Sequence, residues 1–109
     1  MAGKFEIFKD KRGEFRFRLK AGNGEIILAS EGYKRKASCL NGIESVRKNS
    51  PDDGRYERKE AKSGPMFNLR ARNGQVIGTS EVYSGDSARE NGIKSVKKNG
   101  PTAKVVDDS

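Results

Sequence analysis

Three consecutive basic residues, Lys34, Arg35 and Lys36, stand at the start of a predicted helix. Their charges oppose the positive end of the helix dipole, and none of them offers a side-chain oxygen to cap the free backbone amides. A phosphate group or another anion would offset both costs, because it would accept hydrogen bonds from those amides and pair with the side chains. We therefore predict an anion or nucleic-acid contact here. The competing interpretation is a solvated loop whose charges point away from the helix.

A second basic set follows two predicted strands. Its members alternate with apolar residues and are Arg16, Arg18 and Lys20 in one strand, and Arg70 and Arg72 in the other. Alternate side chains of a strand point to opposite faces of the sheet, so this set should face away from the core. If helices cover only one face, the basic open face can follow a phosphate backbone. The same pattern is also ordinary for a half-buried antiparallel sheet with its charges in solvent.

Two polar rows recur at helical spacing. They are Asn41, Ser45 and Asn49 in the first predicted helix, and Asn91, Ser95 and Asn99 in the second. A spacing of four residues places each row along one flank of its helix. We predict that these side chains hydrogen-bond neighbouring backbone and cap the helix C-termini. A ligand site along the rows is the alternative.

No combination of residues predicts catalysis. The chain has one cysteine, Cys39, and no histidine, so a thiol nucleophile would lack its usual activating base. Cys39 lies on the apolar side of its helix, which predicts a buried thiol. The pairs Ser30-Glu31 and Ser80-Glu81 are strand neighbours, whose side chains point to opposite faces. The sequence offers no metal-ligand set and no phosphate-binding glycine loop, and we predict no catalytic residue, metal or cofactor.

The composition is that of a strongly basic chain. The net charge is +8, the isoelectric point is about 9.8, and 35% of the residues are charged. The excess positive charge is divided evenly between the two halves. Such a charge attracts RNA, DNA and other polyanions whatever their sequence, although it also serves solubility alone. The single cysteine, and the lack of a signal-type segment or a membrane-length apolar run, predict a cytoplasmic protein with no membrane contact.

An internal repeat accounts for most of the pattern. The segment Phe17–Pro51 aligns without a gap on Phe67–Pro101, and about half of the aligned positions are identical. Each repeat alone would be marginal, because so short a chain buries too little of its surface. We therefore predict a first unit over residues 1–54 and a second over residues 55–109, fused into one compact domain with pseudo-twofold symmetry.

The strands of the two units are predicted in the same order. Alternating apolar and polar residues predict a strand at Lys4–Lys9 and further strands around Phe17 and Phe67. The pairs Asn23-Gly24 and Asn73-Gly74 predict tight hairpin turns with positive backbone angles. After each helix we predict one more strand, at Arg55–Ala61 and at Ala103–Val106.

Apolar residues at helical spacing predict a helix in each unit, near Lys36–Lys48 and Asp86–Lys98. Each ends at an Asn that can take the left-handed C-terminal position, followed two residues later by Pro. Gly42 and Gly92 within these helices cost about 1 kcal/mol relative to Ala. They predict a close approach of the helix to the sheet or to the other helix.

The combination N-G-x-x-I-x-x-S-E, then Y, then N-G-I-x-S-V-x-K-N occurs in both units and resembles the YegP-like family of bacterial proteins. The resemblance implies an α+β fold in which units of three strands, a helix and two strands form a single antiparallel sheet with two helices on one face. It also implies that the units exchange their C-terminal strands, so that a tandem chain is a monomer built like a dimer. The family has no established activity. Its pattern offers a helix-capping serine, which the second unit keeps as Ser84 and the first unit replaces by cations.

We predict a small non-enzymatic binding or accessory protein that contacts RNA, DNA or another polyanion. The predicted contact residues are Lys34, Arg35, Lys36, Arg16, Arg18, Lys20, Arg70 and Arg72. The first alternative is a protein-interaction module that uses an exposed sheet edge or face. The third interpretation is a small-molecule-binding protein or an enzyme of unknown type.

Overall fold

The structure is a computed structural model and describes residues 3–109. Two repeats of three strands and a helix follow one another, and a seventh strand follows the second helix. The elements are β1 (Lys4–Lys9), β2 (Phe15–Lys20), β3 (Ile26–Ala29), α1 (Lys36–Asn49), β4 (Tyr56–Ala61), β5 (Gly64–Arg70), β6 (Val76–Thr79), α2 (Asp86–Asn99) and β7 (Lys104–Asp107). They agree with the predicted strands and helices apart from small differences at the ends.

All seven strands form one sheet in the order β4-β5-β6-β3-β2-β1-β7. Each repeat forms an antiparallel meander, and the two meanders meet where Ala29 of β3 pairs with Thr79 of β6. The strand β7 leaves the second repeat and pairs in parallel with β1 of the first, with Lys4 opposite Lys104. The repeats are therefore joined both at the centre of the sheet and at one edge.

The predicted α+β class, the single sheet and the strand exchanged between the repeats are confirmed. Two details of the prediction are wrong. The sheet is not wholly antiparallel, because the chain returns from α2 to the end of the sheet where β1 begins, and β7 then runs alongside β1. The resemblance implies two strands after each helix, whereas one follows each, as the residue pattern predicts, and β4 is also the first strand of the second meander.

One continuous apolar core lies between the sheet and the helices. The helix α1 packs on β2, β5 and β6, and α2 packs on β5, β3 and β2, so both helices cover the same face and both repeats. Phe17 and Phe67 are fully buried at equivalent positions. Their rings stack on Tyr33 and Tyr83, with centroids 6.5 and 6.2 Å apart. The predicted close approach at Gly42 is confirmed, since a Cβ there would lie 3.0 Å from the Phe17 ring.

The hairpin turns form where the Asn-Gly pairs predict them, with one difference. Only the glycines, Gly24 at φ 88° and Gly74 at φ 89°, take positive backbone angles. The side-chain oxygen of Asn23 instead accepts a hydrogen bond from the Glu25 amide at 3.0 Å. Glycine takes the left-handed position because it has no Cβ, and the Asn stabilises the turn through its side chain.

The helix C-termini also differ from the prediction. Within residues 3–109 no residue other than glycine has a positive φ, so Asn49 and Asn99 are not left-handed. Their side-chain amides donate to the carbonyl oxygens of Ser45 and Ser95, one turn earlier, at 2.8 Å in both helices. The predicted bonding of the polar rows to neighbouring backbone is thereby confirmed for these two residues.

Neither helix of the described chain combines the length and the apolar character needed to cross a membrane.

Candidate functional site

The basic residues of β2 lie on the open face of the sheet, as predicted, but each is paired with a carboxylate. Arg18 Nε lies 2.6 Å from Glu6 Oε1, and Lys20 Nζ lies 3.4 Å from the other oxygen of Glu6. Arg16 Nε lies 2.7 Å from Asp10 Oδ2. The Arg18 guanidinium holds the pKa of Glu6 below its usual value, against the opposing effect of burial. These three cations are therefore engaged in internal ion pairs.

The second repeat shows the same neutralisation. Arg70 Nη2 lies 2.8 Å from Glu57 Oε1, and its Nη1 donates to the Gly74 carbonyl at 2.6 Å. Arg72 lies beyond the end of β5 in an exposed turn, so its predicted place in a strand is wrong. The strand ends at Arg70 because the β5–β6 register shifts there and the hairpin loop begins. The open face is thus not a continuous strip of unpaired positive charge.

The segment Lys34-Arg35-Lys36 lies at the start of α1, as predicted. The helix begins at Lys36, Arg35 is its extended N-cap residue, and no side chain caps the helix. Lys36 Nζ lies 2.7 Å from Asp107 Oδ2 at the end of β7. Lys34 and Arg35 are exposed and form no ion pair within residues 3–109. The second repeat thus supplies one carboxylate at this helix start, and two neighbouring cations stay without an ionic partner in the described chain.

Lys9 joins this segment in space. The amines of Lys9 and Lys36 lie 5.2 and 5.7 Å from the centroid of the Phe15 ring. The backbone of Phe15 exchanges two hydrogen bonds of 2.7 Å with Tyr33, which holds the loop before α1 against the β1–β2 hairpin. We define the basic end as Lys9, Lys34, Arg35 and Lys36. Sequence reasoning missed Lys9, because only the pairing register of β1 with β2 places it opposite Phe15.

The equivalent place in the second repeat carries the opposite charge. Pro65 stands where the first repeat has Phe15. Its carbonyl oxygen accepts a hydrogen bond from the Tyr83 amide at 2.7 Å, as the Phe15 carbonyl oxygen does from the Tyr33 amide. Glu60 lies opposite Pro65 in the strand pairing and replaces the lysine of β1. Asp86 is the first residue of α2, where the first repeat has a lysine. The basic end is therefore a feature of the first repeat alone.

Ser84 does not cap α2, which corrects the prediction. The N-cap residue is Gly85, and no side chain accepts a hydrogen bond from the first turn. A capping oxygen must come from the N-cap residue itself to reach the amides of the first turn, and Ser84 stands one position too early.

The Lys36–Asp107 pair should make stability depend on pH in the acid range. Lys36, and then Ser109, hold the pKa of Asp107 well below its ordinary value of 3.8. Because the folded-state pKa is lowered, the pair stabilises the fold fully above the ordinary carboxyl pKa, and this contribution is lost progressively as the pH falls from the ordinary pKa through the folded-state pKa. Asp107→Asn should therefore be less stable than the wild type at neutral pH, and the difference should shrink below about pH 4.

Urea unfolding of both proteins at neutral pH and at about pH 3 measures this difference. Asp108→Asn is the matched control, because the Asp108 side chain forms no ion pair with the residues that the structure describes. A stability difference between Asp107→Asn and the wild type that grows on acidification would contradict the assignment.

A groove runs along the polar row of α2, between this helix and the hairpin that joins β2 to β3. It has a volume of about 340 Å³ and continues into an adjoining space of about 430 Å³ towards Asn99. Glu25 from the hairpin and Glu81, Tyr83 and Asn91 from the second repeat contribute to its lining. We call this space the α2 groove.

A smaller groove of about 260 Å³ occupies part of the equivalent position before α1, between the segment that leads into this helix and β6, and we call it the α1 groove. Glu31, Tyr33 and Gln75 line it. The Glu and the Tyr are identical in both grooves, whereas Gln75 stands where the other repeat has Glu25. Neither groove is evident from the sequence, because each is lined by residues of both repeats.

Cys39, Ser30 and Ser80 have structural roles in the core and the sheet. Cys39 is buried as predicted, and burial raises the pKa of its thiol to about 11. Ser30 Oγ accepts a hydrogen bond from the Phe17 amide at 2.9 Å and donates one to the Glu31 carbonyl oxygen at 2.8 Å. Ser80 makes the equivalent hydrogen bonds in the second repeat. Within the described range 3–109, no group of three or more Cys, Asp and Glu side chains is arranged to hold a metal.

Comparison with known proteins decides the family. A family model described as "Domain of unknown function (DUF1508)" matches residues 10–57 and, a second time, residues 61–107. The chain belongs to the DUF1508 family. It contains two copies of the domain in tandem, in agreement with the internal repeat.

Named relatives support the resemblance to YegP. The "UPF0339 protein YegP" of Escherichia coli is 59% identical over 64 residues, which are 59% of this chain and 58% of that protein. The "UPF0339 protein in ptx operon 5'region" of Stutzerimonas stutzeri is 75% identical over 59 residues, and the match spans 53% of the relative. The chain thus spans about half the length of that relative. A "UPF0339 protein" of Treponema denticola is 73% identical over 52 residues, which are 90% of it, so this relative is about one repeat long.

Two solved structures share the whole fold. The solution structure of UPF0339 protein SO3888 from Shewanella oneidensis superposes with a TM-score of 0.92 at 53% identity, covering 98% of this chain and 92% of the other. The solution structure of E. coli yegP, a protein of unknown function, gives a TM-score of 0.93 at 53% identity, covering 99% and 94%. The fold is thus that of solved family members.

Proposed function

We propose that this DUF1508 chain is a non-enzymatic binding module that contacts polyanions, such as single-stranded RNA or DNA, through the basic end. The observation that carries the proposal is the convergence of Lys9 and Lys36 on the Phe15 ring, at 5.2 and 5.7 Å from its centroid. Backbone pairing holds two separate segments together there and presents several cations in one place. Successive phosphates of a nucleic acid bind best to such a group of cations.

The basic end is favoured over the open face of the sheet, because Lys36 is the one member of the basic end that is paired with a carboxylate within residues 3–109, whereas Arg16, Arg18, Lys20 and Arg70 of the open face are all paired. A polyanion would have to displace Glu6, Asp10 or Glu57 to contact them directly. Lys34 and Arg35 face no such competitor within residues 3–109. The open-face cations then contribute to the general positive potential that attracts a polyanion, without direct contacts.

The double substitution Lys34→Ser/Arg35→Ser should weaken binding and flatten its salt dependence. For a single strand, each phosphate that is no longer neutralised should reduce the slope of log affinity against log salt by about 0.7, so removing both cations should reduce it by about 1.4. Serine at position 35 also supplies the N-cap oxygen that α1 lacks, so the variant should fold. Fluorescence anisotropy of a labelled oligothymidine probe across a salt series measures both effects.

The matched control is Lys48→Ser/Lys94→Ser, which removes the same charge from exposed positions on the two helices. The control should change the slope and the affinity much less than the basic-end variant. Equal losses of affinity in the two variants would show that binding depends only on the net charge of the protein, and would contradict binding at the basic end. Binding that does not weaken with salt would contradict the electrostatic contact itself.

A protein-interaction role is the second candidate, and the strand β4 favours it. The outer edge of β1 is covered by β7, whereas no strand of the described residues pairs with the outer edge of β4. An extended partner segment can add to such an edge through main-chain hydrogen bonds. Lys59 and Glu60 place charge on this strand, as edge strands do to discourage unselective pairing. A protein partner that stays bound after nuclease treatment and at high salt would favour this role over polyanion contact.

A further inference from the structure

The α2 groove carries negative charge in a chain that is basic as a whole. Glu25 enters it from the β2–β3 hairpin, and Glu81 enters it from the segment before α2. Most carboxylates of the described chain are paired with Arg or Lys. Glu25 and Glu81 form no ion pair within residues 3–109, although the net charge is +8. Two carboxylates without a basic partner therefore border one cavity.

Tyr83 forms a rigid wall of this groove. Its ring stacks on Phe67 at 6.2 Å and 7°, and its hydroxyl lies directly over the backbone of Gly92. The hydroxyl oxygen is buried and has no hydrogen-bond partner within residues 3–109. Burial, and then the charges of Glu81 and Glu25, raise the pKa of Tyr83, so both carboxylates lie close enough to act on the phenol. The wall is thus a neutral phenol ring beside two negative groups, and its oxygen is buried over the backbone of Gly92.

The rest of the lining adds polar groups that can both accept and donate hydrogen bonds, together with apolar surface. Asn91 and Ser95 add an amide and a hydroxyl, and Ile27 adds apolar surface. Lys98 lines only the adjoining space towards Asn99. Carboxylate, amide and hydroxyl oxygens together match a ligand that carries N–H donors and a positive charge.

We infer that the α2 groove binds a small organic cation bearing a primary ammonium or guanidinium group. Its charged end donates hydrogen bonds to Glu25 and Glu81, and its carbon chain lies against Ile27 and the Tyr83 ring. A groove of about 340 Å³ suits a molecule of this size or a single basic side chain, not a polymer. The site shares no residue with the basic end, so the failure of one proposal leaves the other standing.

The test is an NMR titration with agmatine, which carries an ammonium and a guanidinium on one short chain, at constant ionic strength. Backbone amide signals of Glu25, Glu81, Tyr83 and Asn91 should shift and saturate. Titration with 1,4-butanediol, an uncharged chain of similar length, should leave them unchanged. Equal shifts with the diol, or no saturable shift with agmatine, would overturn the inference.

Substitutions at the carboxylates make the test specific. Glu25→Gln gives the α2 groove the glutamine of the α1 groove and should weaken agmatine binding roughly two- to fivefold, as expected for one partly exposed ion pair. Glu25→Gln/Glu81→Gln should abolish saturation. The reciprocal variant Gln75→Glu adds the second carboxylate to the α1 groove and should create new saturable shifts at Glu31 and Tyr33. Unchanged affinity in the double variant would overturn the site.

A Gly-Arg-Gly peptide with blocked termini distinguishes two kinds of ligand that carry the same cationic group, a basic side chain of another protein and a free small amine. Tighter binding of the peptide than of agmatine, at the same amide signals, assigns the cation to a protein side chain. Weaker binding of the peptide assigns it to a free amine. Both outcomes support cation recognition by the α2 groove, whereas peptide shifts that persist in Glu25→Gln/Glu81→Gln would contradict it.

Discussion

Replacing Phe17 by alanine should lower the free energy of unfolding by about 3–5 kcal/mol and destabilise both repeats together. Phe17 is fully buried, meets the Phe5 ring edge-on at 5.9 Å and stacks on Tyr33 at 6.5 Å. Alanine leaves a cavity that the surrounding side chains cannot fill, because close-packed neighbours relax only in part. Because α1 packs on β5 and β6 as well as on β2, the cavity weakens a core that belongs to both repeats.

Urea denaturation followed by circular dichroism gives the loss of stability, and amide hydrogen exchange shows which strands open together. Exchange in β5 and α2 should accelerate along with exchange in β2 and α1. The matched variant Phe67→Ala should lose a similar amount, because that ring has equivalent neighbours in Tyr56 at 5.6 Å and Tyr83 at 6.2 Å. If amides of β5 kept their full protection in Phe17→Ala, the repeats would fold independently and the single core would be contradicted.

The elements of this fold were predictable because their signals are local. The alternation of Phe15, Phe17 and Leu19 with basic residues marks one buried face of a strand wherever that strand lies in the sheet. The glycine of each Asn-Gly pair marks a hairpin for the same reason, since its positive backbone angle is a property of the turn itself. The helices likewise show a spacing that identifies their buried side.

The pairings between distant segments were not predictable from local signals. The parallel pairing of β7 with β1 depends on where the chain lies after crossing α2, and no residue of Lys104–Asp107 encodes that direction. The ion pair of Arg18 with Glu6 depends on the register of β1 with β2. The sequence pattern therefore predicts a free, basic open face, whereas the structure neutralises much of it.

The two proposed sites depend on the duplication in different ways. The basic end exists because the copies differ, with Lys36 in the first repeat where Asp86 stands in the second. The α2 groove exists because the copies pack against each other, with Glu25 of one repeat facing Tyr83 of the other. Comparing the copies as sequences can reveal the first kind of site. The second requires the relative placement of the repeats.

Gly92→Ala should destabilise the protein by about 1–3 kcal/mol, although alanine in a helix interior is favoured over glycine by about 1 kcal/mol. A Cβ at position 92 would collide with the Tyr83 hydroxyl and would lie 2.6 Å from Tyr83 Cζ. The ring cannot move aside freely, because it is stacked on Phe67. Steric overlap in a rigid site should therefore outweigh the gain in helix propensity.

The double variant Gly92→Ala/Tyr83→Phe should recover part of this loss, because the phenylalanine lacks the oxygen that meets the new methyl group. Tyr83→Phe alone should be nearly neutral, since the hydroxyl has no hydrogen-bond partner within the described chain. The equivalent pair Gly42→Ala/Tyr33→Phe should recover more, because once the hydroxyl at 2.6 Å is removed a Cβ at position 42 would lie 3.0 Å from the Phe17 ring and 3.1 Å from Tyr33 Cζ, whereas a Cβ at position 92 stays 2.6 Å from Tyr83 Cζ. Urea unfolding of the four proteins of each cycle measures the coupling. Strictly additive effects would show that the tyrosine hydroxyl is not what requires glycine on the helix, and Gly92 would then have to be explained by the sheet below it.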